Sequence, residues 1–162
     1  MIIFIPTWLW LVLIPANYLI DRIVLKWSLG DMPDKGLFCR KHTWKICLAG
    51  FLSDFLGALV MFSVYIIGVM IEDGAEASKW LEELQMGVGF NPFSNLLSLI
   101  VVIFAIAVAG AIIYLLDRLI LKRAGLDALQ AKKSALRLAI ITAPYLFLFP
   151  SSLIYNSSSF IL

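Results

Sequence analysis

Long stretches of this sequence lack charge altogether. No acidic or basic side chain occurs in residues 1–20, 95–116 or 138–162, and residues 46–71 hold a single one, Asp54. Charged residues make up 15% of the chain and hydrophobic ones 62%, against about 25% and 45–50% in soluble domains. That excess of apolar surface excludes one water-soluble core and makes lipid the expected solvent. Cysteine is scarce: Cys39 and Cys47 are too few for a disulfide framework. His42 is the sole histidine and pairs with no plausible nucleophile. A glycine-rich phosphate loop is missing as well, so neither an enzyme nor a cofactor is expected. Cys39, His42 and Cys47 supply three ligands where zinc takes four at tighter spacing, and no metal is expected. Nothing in the sequence calls for contact with nucleic acid. The N-terminal apolar run has no basic stretch ahead of it and no small-residue cleavage site behind it, and reads as a retained membrane helix.

What is present is a repeat. Tyr18-Leu19-Ile20-Asp21-Arg22-Ile23-Val24-Leu25-Lys26 returns as Tyr114-Leu115-Leu116-Asp117-Arg118-Leu119-Ile120-Leu121-Lys122. The two copies start 96 positions apart, and six of the nine residues are identical. Each copy ends a long apolar run and leads into a basic segment. Four spans are expected, at residues 3–25, 46–71, 96–121 and 138–154. Pro6 and Pro15 lie in the first, with Trp8, Trp10 and Tyr18, and Pro144 and Pro150 interrupt the fourth; membrane helices tolerate proline where neighbours satisfy the freed carbonyls. The fold class is all-α: an integral membrane protein of four transmembrane helices, arranged as two helical hairpins in a parallel repeat. The whole chain, 1–162, forms a single membrane domain, with one repeat half at 1–71, a linker at 72–94 and the second half at 95–162.

The linker is acidic, with Glu72, Asp73, Glu76, Glu82 and Glu83 against Lys79. Trp80, Leu81 and Leu84 mark a short interfacial helix in it, expected to end at Gly87 and Gly89. Asn91-Pro92 then reads as a helix opening. Residues 26–45 and 122–137 read as basic loops. In the first, Gly30, Pro33 and Gly36 are expected to break any helix, and Trp27 and Trp44 to mark headgroup level. Lys and Arg number six from Arg22 to Lys45, six from Arg118 to Arg137, and one from Glu72 to Ser94. Positive loops stay cytoplasmic, so both basic loops are expected inside a cell membrane (inner or plasma) and both termini outside. Asn156-Ser157-Ser158 forms a glycosylation sequon on that outer side.

Three groups of residues are candidates for function. In the repeat, Arg22 with Lys26 and Arg118 with Lys122 share helix faces, where like charges repel by a few tenths of a kcal/mol. They either snorkel to the headgroups or pair with an anion. Asp21 and Asp117 point about 100° away from the neighbouring arginines and suit a partner on another helix or subunit. Tyr18 and Tyr114 lie one turn before those arginines and stack on them or sit at the interface. The second group is Asp54 with Ser53. Asp54 stands nine residues past Lys45, about 13 Å along a helix, deep enough that a charge costs at least about 2.5–3.5 kcal/mol. It is either a packing residue or an ion or proton site. Gly50, Ser53, Asp54 and Gly57 share one face, and Ala105, Ala107, Ala109, Gly110 and Ala111 thin the third span, so these two spans are expected to pack closely. The third group is basic: Lys35, Arg40, Lys41 and Lys45, then Arg123, Lys132, Lys133 and Arg137, fit for docking a cytosolic protein or anionic lipid.

Two functions fit. One is a non-enzymatic, multi-pass membrane subunit of an oligomeric assembly, docking its partner through the basic loops and responding to the state of the membrane. The other is a small ion channel or transporter, with Asp54 and Ser53 lining a path between subunits. Homo-oligomerisation is expected in either.

Overall fold

A computed structural model describes residues 10–70 and 75–153. Five α-helices follow one another: α1 (Trp10–Ser28), α2 (Lys35–Met70), α3 (Ala75–Phe90), α4 (Leu96–Arg123) and α5 (Ala128–Thr142). Two 3₁₀ turns, Pro92–Ser94 and Tyr145–Leu148, interrupt the chain between and after them. Among the described residues the fold is all-helical. Trp8, Pro6, Glu72, Asp73 and the sequon at Asn156 lie outside them.

α2 and α4 are long and apolar enough to cross a membrane. At 1.5 Å per residue their 36 and 28 residues measure about 54 and 42 Å, more than the ~30 Å of hydrocarbon. In each, only 33% of the most apolar 18-residue window is buried in the protein. Leu52, Phe55, Phe62, Ile66, Ile100, Ile103 and Phe104 are among the large apolar side chains left exposed. A core helix of a soluble protein hides such residues, and an outward face of this extent fits lipid.

Several boundaries differ from the sequence expectation. The first basic loop shrinks to residues 29–34, because α2 starts at Lys35 and runs straight through Gly36. A left-handed Gly30 (φ +57°) makes the turn, and Lys35 Nζ donates to Gly30 O at 2.8 Å. The second basic loop shrinks to residues 124–127: Asp127 caps α5, accepting from the amides of Leu129 (3.2 Å) and Gln130 (3.3 Å). Lys132, Lys133 and Arg137 are therefore helical. The linker helix does not stop at Gly87 or Gly89 but continues to Phe90. A side chain at Gly87 would overlap Ser98 of α4, and one at Gly89 would overlap the Tyr65 hydroxyl of α2, so these glycines permit close packing rather than end the helix. Asn91 caps only the 3₁₀ turn, and Asn95 caps α4 by accepting from Ser98 N at 2.7 Å.

The fourth span is not a continuous helix. α5 stops at Thr142, where Pro144 holds Ala143 in an extended conformation (ψ 151°) and withdraws an amide. Tyr145–Leu148 follows as a 3₁₀ turn and Pro150 as a second break.

Small residues bring α2 and α4 together at Gly57, Ala105 and Ala109 as expected, whereas Gly50 and Asp54 of the same expected face border a cavity and Gly110 faces α5. A Cβ on Gly57 would stand 3.0 Å from Ala109 Cβ and 3.1 Å from Ala105 O. Two cores flank this seam. One, beneath the basic end, joins Leu25, Leu29, Cys39, Ile46, Leu121, Ala135 and Leu138. The other, beneath the acidic linker, joins Met61, Val64, Leu81, Leu84, Val88 and Val102. α1 packs on α2 and α5, and α4 on α2 and α5. Gln130 Nε2 reaches Leu29 O at 3.4 Å, linking the two basic ends.

Candidate functional site

A cavity of about 530 Å³ lies between α1, α2 and the broken segment after α5. α1 contributes Leu13, Asn17, Ile20 and Asp21, spaced 4, 3 and 1, so all lie on one helical face. α2 contributes Cys47, Gly50, Phe51 and Asp54 by the same periodicity. Residues 141–150 form the third wall, with Tyr145, Phe147 and Phe149 supplying aromatic rings. That wall is held by its own short hydrogen bonds, Phe147 N to Pro144 O and Phe149 N to Leu146 O, both 3.0 Å. Ser151 Oγ ties its end to Gly89 O of α3 at 3.2 Å.

Asp54 lines the cavity as the sequence singled it out, but it is not alone. Asp21 lines it too and is only 5% exposed. Asp117, on α4, is fully buried. Both were expected to suit a partner on another helix or subunit, and both are more enclosed than half-buried Asp54. Asp21 interacts electrostatically with Asp54 and with Asp117, so three carboxylates from three helices share one field. Their hydrogen bonding is sparse. Cys47 donates its thiol to Asp21, and a thiol is a weak donor. Asp54 Oδ1 and both oxygens of Asp117 are shielded from solvent without a hydrogen-bond partner. Buried acceptors in this state are exceptions that call for an explanation. Among the described residues no lysine, arginine or histidine lines the cavity.

The other candidates fall elsewhere. Ser53 is buried outside the cavity, and its hydroxyl donates to Ala49 O at 2.7 Å in its own helix. Tyr18 and Tyr114 are half-buried; Tyr114 packs on the core beneath the basic end. Arg22 is half-buried, whereas Lys26, Arg118 and Lys122 are exposed. Arg40, Lys41, Lys45, Arg123, Lys132, Lys133 and Arg137 are all exposed, and Lys35 is half-buried. Arg137 lies over the Trp27 ring at 4.7 Å and Lys45 over Trp44 at 5.6 Å. Cys39 and Cys47 are buried free thiols. His42 is buried against Phe38, ring centroids 4.6 Å apart.

Asn17, Cys47 and the 141–150 wall were not picked out from sequence as parts of a site. A signal for the first two existed. Asn17 stands four residues before Asp21, and Cys47 seven before Asp54, spacings that put each pair on one face. Compared with family models, curated proteins and solved structures, the chain matches none of them.

Proposed function

We propose that this protein is a small membrane transporter or channel that takes a cation at the Asp21–Asp54 cavity. The observation that carries the reading is a cavity with two carboxylates on its walls, a third behind them, and, among the described residues, no basic side chain lining it. Charges so placed in a membrane helix are costly and mark ion or substrate pathways. A cation supplies the missing charge. In this reading α1 and the broken α5–Pro150 segment provide two more crossings beside α2 and α4. Both termini then face outward and both basic ends face the cytoplasm. The two hairpins descend from one ancestral half, and copies of the chain associate. Reconstituted protein is expected to carry cation flux that Asp21→Asn and Asp54→Asn abolish. Flux unchanged in both variants, with only stability lowered, refutes the role.

A second reading rests on a different observation. The exposed bases at the start of α2 and on α5 stand at one end of the bundle, where Gln130 links the two segments. Such a face attracts a cytosolic acidic protein or anionic lipid and fits a non-enzymatic membrane subunit. Neutralising Arg40, Lys41, Lys132 and Lys133 is expected to release that partner and to leave cavity-dependent flux intact. A partner retained after those changes removes this reading.

A further inference from the structure

We propose that the occupant of the cavity is an organic cation with apolar flanks, such as an alkyl- or arylammonium or a phosphonium, reached sideways from the lipid. This inference rests on the cation reading above and narrows it to a substrate class. Size is the first argument. At about 530 Å³ the space falls within the range of small-molecule sites, and a bare inorganic ion would leave most of it empty. Ligand number is the second. Hard divalent cations such as calcium and magnesium take about six or more oxygen ligands. Among the described residues no three His, Cys, Asp or Glu side chains converge to hold a metal ion. Lining chemistry is the third. Apart from Asn17, Asp21, Cys47, Asp54, Thr142 and the Tyr145 hydroxyl, the walls present apolar surface. An aromatic-rich lining suits a soft, weakly hydrated cation through its ring faces.

Access supports the same class. Ile20, Leu146 and Phe149 line the cavity while remaining 44%, 54% and 50% exposed, so its mouth is apolar. A solute that already partitions into the bilayer meets no polar barrier there. The acceptors wait at the other side: Asp21 and Asp54 on the walls, Asp54 Oδ1 without a donor, and Asp117 buried behind them with neither oxygen paired. An ammonium or phosphonium places positive charge beside those oxygens while its substituents lie on Phe51 and Phe147.

The test is binding of tetraphenylphosphonium to the purified full chain in detergent, with tetraphenylborate as a probe of the same shape and opposite charge. Saturable binding of the phosphonium alone is expected, weakened about 10-fold or more by Asp21→Asn and by Asp54→Asn. Because those variants risk misfolding, Gly50→Leu gives an independent check. Gly50 lines the cavity and a Cβ there meets nothing within 4 Å, so the larger side chain fills ligand space without a clash. It is expected to keep the fold and lose the phosphonium. Equal binding of both probes, or phosphonium binding unchanged in all three variants, overturns the inference as mere apolar partition. Flux of sodium, potassium or protons through wild type, lost in Asp54→Asn, without phosphonium binding overturns the organic-cation class and leaves the cation reading standing. Neither binding nor flux removes both.

Discussion

The two copies of the Tyr-Leu-x-Asp-Arg motif are nearly the same peptide in two different places. Asp21 borders a cavity, receives a thiol hydrogen bond from Cys47, and has half-exposed Ile20 beside it. Asp117 stands in α4, the helix gripped by both α2 and α5, fully buried and unpartnered at both oxygens. Arg22 is half-buried and Arg118 exposed. The copies diverge further just past the motif. Trp27 follows the first and lies under Arg137, while the exposed Arg123 follows the second. Local sequence thus sets helix and register in both copies, and the neighbouring helices decide which aspartate meets a ligand.

The largest expected difference between the copies is in binding. Asp21→Asn is expected to weaken tetraphenylphosphonium about 10- to 100-fold, because it removes a charge attraction of about 2 kcal/mol for a cation roughly 8 Å away at an effective dielectric of about 20. Asp117→Asn acts through the field alone and is expected to cost about 2- to 3-fold, as a more distant charge would. Titration of the two variants side by side checks the ranking, and equal losses would erase the distinction between the copies.

Next in size is the seam that holds the second copy in place. Gly57→Leu drives a side chain into Ala109, Ala105 O and Phe147 Cε2, a wall residue of the cavity. Overpacking of this kind costs about 1–3 kcal/mol, and a lower thermal midpoint in detergent together with weaker phosphonium binding would show it. An unchanged midpoint would mean that α2 and α4 separate freely, contrary to the tight seam.

A smaller effect with the opposite sign is expected at Asp117 itself. An unsatisfied buried polar group costs about 1–3 kcal/mol, so Asp117→Val is expected to raise the midpoint. Asp21→Val is expected to do so less, because Asp21 already has a donor in Cys47 and a cavity beside it. A fall in stability for Asp117→Val would show that the carboxylate is paired in the membrane, by a partner from another copy or a lipid.

The smallest expected contrast lies just past the motifs. Trp27→Ala removes the ring under Arg137 and is expected to cost about 0.5–1 kcal/mol. Arg123→Ala, at an exposed position, is expected to stay within about 0.5 kcal/mol of wild type. Denaturation of both variants under one condition decides it.

By itself the sequence determined the helical class and the long apolar runs, two of which form helices able to cross a membrane. Charge-free runs of about twenty residues have no stable alternative in lipid, since every backbone group must bond within its own segment. It also marked the α2–α4 seam, because small residues at helical spacing have one physical use there, close approach. Where α2 and α5 begin was not legible: Gly36 and the lysine-rich stretches looked like loop, and tertiary packing of Cys39, Ile46, Ala131 and Ala135 in one core overrode their weak local preference. The fate of the fourth span was half legible, since Pro144 and Pro150 announced breaks without saying that the broken piece would wall a cavity. Only the tertiary structure decided that Asp21, Asp54 and Asp117 belong together. They come from three helices, 33 and 63 residues apart in the chain, and no local pattern records which helix faces which. The shared field of the three carboxylates is a property of the packed bundle alone.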